Sequence, residues 1–335
     1  MSDRTNSKLR LGTRGSLLAR TQSGHVASAL AAVMGLTVEA SIEEVIIRTQ
    51  GDDSTVPLNE AKTPGLFVNA LRDALLAGEV DFIVHSFKDL PSGPVDGITL
   101  AAVPVREDLH DVLVSRDNLK LVELPIGAKV GTSSPRRSAK LLAARPDLEI
   151  QPIRGNIDTR IAKVRGGEFD ATVLAAAGLK RINRLDEAAE FLGLDLLLPA
   201  PAQGALAVEC RSDDAETLSI LAQLDDPRSR VITAAERAIL VGVGATCSTA
   251  VGAVATLSDT QELKIQAELS NPALGASGIE FERFETSGIL SLPLGSASSL
   301  SEAHQLGMYV AGRLMDTELG RHIAAQIAKE RNPSD

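Results

Sequence analysis

Short apolar runs alternate with stretches of helical period through the first two thirds of this chain, and that alternation leaves few architectures open. Residues 9–12 read as a strand, 16–33 as a helix closed by Gly35, and 38–48 as a second strand. Phe67, Ala70, Leu71, Ala74 and Leu75 then recur at helical spacing, Gly78 stops that helix, and 81–85 reads as a short buried strand. A second copy of the same grammar begins near Leu109, with strands at 111–115, 128–132, 148–153 and 170–175 and helices after Ser134 and Asn156. Repeated βαβ units imply mostly parallel sheets covered by helices on both faces, in two α/β domains.

The segment Pro199-Ala200-Pro201-Ala202-Gln203-Gly204 reads as a crossing linker that returns the chain to a strand at 205–210. Asp226-Pro227 opens a helix that runs through Glu236 toward Leu240. The last third, with strands near 250–257 and 263–269 and a long helix from about Ser301, follows an α+β grammar. The expected organisation is three domains: 1–105 with 200–224, then 106–199, then 225–335. A chain of 335 residues with 44% hydrophobic residues can bury that many cores. No apolar stretch approaches the roughly 20 residues needed to cross a bilayer, and residues 1–10 are polar without a signal segment, so the expected address is the cytoplasm.

Against this frame, arginines stand where helices begin. Thr13-Arg14-Gly15-Ser16, Thr132-Ser133-Ser134-Pro135-Arg136-Arg137 and Arg154-Gly155-Asn156 each follow a strand end. A helix N-terminus already carries about half a positive charge, so cations there are unfavourable unless an anion arrives. Ser134 suits an N-cap and Pro135 the first helical position, and the forked donors of Arg136 and Arg137 suit carboxylates or phosphates. Arg160 adds a cation near the first turn after Asn156, and Arg181 follows a strand and short helix to the same edge. Open α/β sheets bind ligands outside the carboxyl ends of their strands, so two such domains would line one anion-binding cleft. Overall the chain is acidic, with 34 Lys and Arg against 44 Asp and Glu and a formal charge of -10. With 2% aromatics as well, this composition argues against nucleic acid and for a local cationic pocket.

Two further segments carry chemistry. His85-Ser86-Phe87-Lys88-Asp89-Leu90-Pro91 places an acid and a base at a strand's carboxyl edge. Lys88 can hold an anion, while Asp89 can steady a developing cation or shuttle a proton; a salt-bridged turn is the plain alternative. Cys247, in the small-residue loop Gly244-Ala245-Thr246-Cys247-Ser248, is approachable as a nucleophile or an attachment point, whereas Cys210 ends an alternating strand and reads as core. The histidines are scattered and no ligand spacing supports a metal.

Taken in order, RGSLLARTQ at 14–22, PGLF at 64–67, HSFKDLP at 85–91, GTSSPRR at 131–137, RGNIDTR at 154–160, AAGLKR at 176–181, PAQGALAVECR at 201–211 and ERA at 236–238 resemble the porphobilinogen deaminase family, also called hydroxymethylbilane synthases. The resemblance implies two periplasmic-binding-protein-like domains plus a C-terminal α+β domain. It also implies a covalent dipyrromethane cofactor on the thioether of Cys247, and head-to-tail condensation of four porphobilinogen units with loss of ammonia, ending in hydrolytic release of hydroxymethylbilane. Asp89 takes the catalytic position. Arg14, Ser16, Lys88, Ser133, Ser134, Arg136, Arg137, Arg154, Arg160 and Arg181 match positions that bind cofactor or substrate carboxylates. The implied partner is the small-molecule substrate acting on a monomer, with no nucleic acid, membrane or metal. Departures from the family pattern fall in the 59–64 loop, where Lys62 stands alone and Glu60 occupies an expected lysine position, and in GATCSTA at 244–250, which lacks paired glycines before the cysteine and a proline after it. A noncatalytic carboxylate-binding protein and a pyridoxal phosphate Schiff base on Lys88 are the rival readings.

Overall fold

The computed structural model describes residues 8–47, 66–246, 248–271 and 281–331. Cys247 and the 59–64 loop with Lys62 lie outside the described residues. The chain runs β1 (Leu9–Thr13), α1 (Leu17–Met34), α2 (Val38–Ser41), β2 (Ile42–Ile46), α3 (Leu66–Leu76), β3 (Phe82–Ser86) and β4 (Ile98–Ala102). Next come β5 (Asp111–Ser115), β6 (Lys129–Gly131), α4 (Pro135–Ala144), β7 (Glu149–Gln151), α5 (Ile157–Arg165), β8 (Ala171–Ala175), α6 (Ala176–Arg181) and β9 (Glu190–Leu192). The chain then forms β10 (Leu206–Arg211), α7 (Ala215–Leu221) and α8 (Pro227–Val243). It ends in β11 (Ala250–Leu257), β12 (Glu262–Ser270), β13 (Phe281–Ile289), α9 (Ala297–Met315) and α10 (Glu318–Arg331).

Two compact units result, Met1–Arg106 with Ala205–Arg230 and Glu107–Gly204 with Val231–Asp335. The first holds a five-stranded sheet in the order β2-β1-β3-β10-β4. Strands β1, β2 and β3 pair in parallel, and β10 pairs antiparallel with both β3 and β4, so four strands share a direction and β10 alone is reversed. The second unit repeats the plan as β7-β6-β8-β5-β9, with β5 as the reversed strand in the equivalent place. The parallel βαβ grammar is therefore observed, interrupted once per sheet by the strand that enters or returns along the chain. The second unit also contains the antiparallel sheet β11-β12-β13, covered by α9 and α10.

Helix boundaries follow local chemistry. Ser16 caps α1 by accepting from Ala19 N at 3.4 Å, and Gly35 closes it in the left-handed region at φ 66°. Where the sequence pattern suggested a strand from residue 38, Thr37 instead accepts from Ala40 N at 3.3 Å and starts the short α2, so β2 begins only at Ile42. Strand β13 was not expected from the pattern. Ser296 caps α9, which starts at Ala297, four residues before the expected helix start, and the chain breaks again at Asp316 before α10.

Apolar burial is divided accordingly. Leu11, Val26, Leu30, Phe82 and Val208 form one core of the first unit; Leu113, Val130, Leu141, Val173 and Leu192 form one under the second sheet; Ile239, Leu263, Ile265, Val310 and Leu314 form that of the antiparallel sheet. Each fully buried side chain of this kind contributes about 1.5–3 kcal/mol relative to exposure.

Glu236 on α8 is a charged exception, wholly buried yet satisfied. Its Oε2 accepts from Ala202 N at 2.6 Å and its Oε1 from Ala255 N at 2.8 Å, which ties α8 to the 199–204 segment and to β11. Glu236→Ala strands two buried N–H groups and is expected to lower unfolding free energy by about 2–4 kcal/mol. Urea denaturation checks this, and a midpoint shift equivalent to less than about 0.5 kcal/mol would contradict it.

Candidate functional site

In the first unit the candidate residues sit at the carboxyl ends of β1 and β3. Arg14 follows Thr13, the last residue of β1, and Ser16 is occupied in capping α1. Beyond β3 the chain makes a single 3-10 turn, Phe87–Asp89, anchored at Phe87 and at the following Leu90. Phe87 and Leu90 are buried, Phe87 N donates to Ala205 O at 3.0 Å and Leu90 N to Phe87 O at 3.3 Å. Between these anchors Lys88 is half-buried and Asp89 is exposed. Two side-chain bonds join α1 to both strand ends: Gln22 Nε2 donates to Ser86 Oγ at 2.9 Å, and Ser23 Oγ to Thr13 Oγ1 at 2.8 Å. The Arg14 turn and the Lys88-Asp89 turn are thus held by one helix.

Beneath them lies a buried ionic cluster. Register pairs Ala207 with His85, so Glu209 and His85 share a face of the sheet two residues apart. Arg72, from the apolar face of α3, grips Glu209 bidentately at 2.6 and 2.9 Å, and His85 Nε2 lies 3.6 Å from the same carboxylate. Burial, reinforced by the charges of Arg72 and Arg14, pulls the His85 pKa down to about 3, because the nearby carboxylate is already committed to Arg72. His85 is therefore neutral in the folded protein.

In the second unit the helix starts form as the sequence indicates. Ser134 caps α4 by accepting from Arg137 N at 3.4 Å with Pro135 at the first helical position, and Asn156 caps α5 by accepting from Thr159 N at 2.9 Å. Gly155 is required between Arg154 and that cap, since its φ is 103° and a Cβ there would meet Thr159 Cγ2 at 2.5 Å. Ser133 is exposed, its hydroxyl donating to Ile153 O at 3.0 Å. Arg154 is half-buried, and Arg160 Nε donates to Gly155 O at 2.9 Å.

Arg136 and Arg137 are placed differently from a pair held out to a ligand. Both are buried, with 5% and 7% of their surfaces exposed, and both turn back on Asp111 at the start of β5. Arg136 Nη1 donates to Asp111 Oδ2 at 2.7 Å and Leu198 O at 2.6 Å; Arg137 Nη2 donates to Asp111 Oδ1 at 2.6 Å and its Nη1 to Val173 O at 2.8 Å. Gln203 Nε2 joins the same carboxylate at 3.1 Å. One turn further along α4, buried Lys140 donates to Glu268 at 3.0 Å, and Arg283 reaches the same carboxylate at 2.7 Å. Around this helix four cations thus share two carboxylates. Burial lowers the Arg136 pKa while Asp111 opposes that shift, and only a positive charge with added anionic company is comfortable in such a place.

Arg181 stands at the end of α6, its Nη2 donating to Gly204 O at 2.6 Å, and burial pulls its pKa down to about 10 against the opposing charge of Glu107. Gly204, at φ 89°, lies against the Glu107 carbonyl so closely that a Cβ would overlap it. Asp111, Gln203, Gln22 and Glu209 were not singled out by sequence reasoning. Asp111 alone left a signal, as an acid opening the otherwise apolar strand Asp111-Val112-Leu113-Val114.

Residues 9–219 match the family described as "Porphobilinogen deaminase, dipyromethane cofactor binding domain". Porphobilinogen deaminase 1 of Streptomyces coelicolor is 49% identical over 330 residues, covering 97% of this chain and 99% of that protein. The chain belongs to the porphobilinogen deaminase family. The porphobilinogen deaminase of Mycobacterium tuberculosis is 46% identical over 310 residues, covering 92% of this chain and 96% of that protein. Among solved structures, the VFT2 domain of Bordetella pertussis BvgS aligns with a TM-score of 0.39 at 18% identity, over 66% of this chain and 88% of that one.

Family membership brings in a dipyrromethane cofactor, and the donor set fits an acidic group of that kind. Two pyrroles bearing acetate and propionate side chains suit the positive end of the α4 dipole, the exposed hydroxyl of Ser133 and an excess of buried cations around α4.

The neutral state of His85 makes a pH prediction. Unfolded, His85 binds a proton as pH falls through about 6.5, whereas the folded protein stays unprotonated down to about 3. Stability is therefore lost as pH falls through that window and is unaffected by this group above it. His85→Asn is expected to flatten the stability slope between pH 6 and 4 by about one proton. Urea titrations at stepped pH read this, and parallel slopes for the two proteins would refute it.

Proposed function

We propose that this chain condenses four porphobilinogen molecules head to tail on a dipyrromethane primer attached to Cys247. Ammonia leaves at each condensation, and hydrolysis finally releases hydroxymethylbilane. The observation that carries this reading is the near end-to-end identity with porphobilinogen deaminases, 49% across 97% of the chain. The partner is the small-molecule substrate, and the chain is taken to act as a cytoplasmic monomer. We read the second unit as two domains, one per sheet, supported by the separate cores beneath them.

Asp89 is assigned the chemistry. Exposed on a turn whose flanks are buried, it can accept a pyrrole N–H, steady the azafulvene-type cation left when porphobilinogen loses ammonia, and remove the proton that restores aromaticity. Lys88, Arg14 and Ser16 are assigned to carboxylates in the first unit. Ser133, Ser134, Arg136, Arg137, Arg154, Arg160 and Arg181 are assigned to them in the second. When bound, the primer would supply the free α-carbon that takes the first substrate unit, and the terminal ring of the lengthening chain would supply it for each later one. Arg136 and Arg137, being committed to Asp111, contribute mainly as a fixed positive field, while Ser133, Arg154 and the α4 cap are better exposed for direct contact.

Incubation with porphobilinogen tests the reaction. Ammonia release with substrate consumption is the expected result, and saturable binding without consumption would support a carboxylate receptor instead. Intact-mass spectrometry of the active protein should find an adduct localised to Cys247; activity from chains of bare mass would remove the covalent primer. Asp89→Asn is expected to fold normally and to lower kcat by roughly 10²–10⁴-fold. Turnover within a few-fold of wild type would reject the role.

A further inference from the structure

Glu330 occupies the last turn of α10, where a carboxylate faces the negative end of the helix dipole and is mildly disfavoured. Its contacts account for its presence. Thr246 Oγ1 donates to Glu330 Oε2 at 2.9 Å, and Ser248 Oγ lies 2.7 Å from Oε1 and 2.6 Å from Oε2. A carboxylate only accepts, so both hydroxyls are oriented as donors toward it. These are the two residues on either side of Cys247 in the sequence.

The same small turn is tied internally. Thr246 N donates to Thr249 Oγ1 at 2.9 Å, and Thr249 N to Thr246 O at 3.2 Å. Six residues, 244–249, join α8 to β11, with one glycine and no proline among them. The other end of the linkage is firm. Leu319, Ile323 and Ile327 bury α10 in the core of the antiparallel sheet, and Ser248, Thr249, Ser270, Gln326 and Glu330 line the hollow beside the turn.

We propose that Glu330 is a positioning residue for cofactor attachment, holding both neighbours of Cys247 and thereby setting where its thiol is presented. This rests on Cys247 being the attachment point. Glu330 is exposed, so its replacement leaves the core intact.

The test compares wild type, Glu330→Ala and Glu330→Gln by two readouts. One is the fraction of purified chains carrying the adduct on Cys247, read by intact and peptide mass. The other is the rate of Cys247 alkylation by iodoacetamide in protein produced without tetrapyrrole precursors, with buried Cys210 as the internal control for global loosening. Loss of these charge-assisted bonds in Glu330→Ala is expected to change alkylation at Cys247 by about tenfold and to lower the loaded fraction, with Cys210 unaffected. Glu330→Gln, whose amide oxygen still accepts, should restore part of both. Wild-type loading and alkylation in Glu330→Ala overturn the proposal and leave the attachment assignment standing. An equal rise at Cys210 also overturns it, because the effect is then general. A wild-type chain without an adduct removes the assignment, and the proposal with it.

Discussion

The second unit depends on one buried carboxylate. Asp111 begins the reversed strand β5, and two guanidinium groups from the first turn of α4 converge on it while also reaching carbonyls of β8 and the segment after β9. Strand, helix start and connecting segment are thereby registered against each other by hydrogen bonds to charged groups, which are stronger and more directional than neutral ones. A lone buried cation would be untenable, and two cations against one carboxylate are tolerable only with further negative charge nearby. Glu268, held by Lys140 and Arg283, supplies part of that further charge beside the same helix.

The first unit solves a related problem with different means. Its exposed acid, Asp89, is held on a 3-10 turn with Phe87 and Leu90 sunk on either side. Below that turn Arg72 and Glu209 neutralise each other, so that His85 is kept uncharged by burial. Positive charge at the strand ends is then concentrated in Arg14 and Lys88, with no cationic imidazole added beneath them. Gln22 and Ser23 tie α1 to both strand termini, so the two turns share one support.

Most of the α/β architecture was legible locally. Strand and helix periods, the caps at Ser16, Ser134 and Asn156, and the glycine stops are properties of a few neighbouring residues, and they appear in the structure near the expected places. At Thr37 a local signal had a local competitor, the hydroxyl that starts a helix inside an apparent strand, while β13 was not read from the pattern at all. The arginine turns were likewise readable as chemical anomalies. Their partners were not: Arg137 lies 26 positions from Asp111, and Arg72 lies 137 positions from Glu209.

The sequence by itself determined the βαβ grammar, the concentration of arginines at helix starts and membership of the deaminase family, because periodicity, capping and long motifs are written in contiguous residues. Tertiary structure alone decided that Arg136 and Arg137 are buried on a shared carboxylate, that His85 is neutral, and that Glu330 reaches the residues flanking Cys247. Each of those outcomes depends on desolvation or on the approach of groups distant along the chain, and neither exists until the sheets have formed.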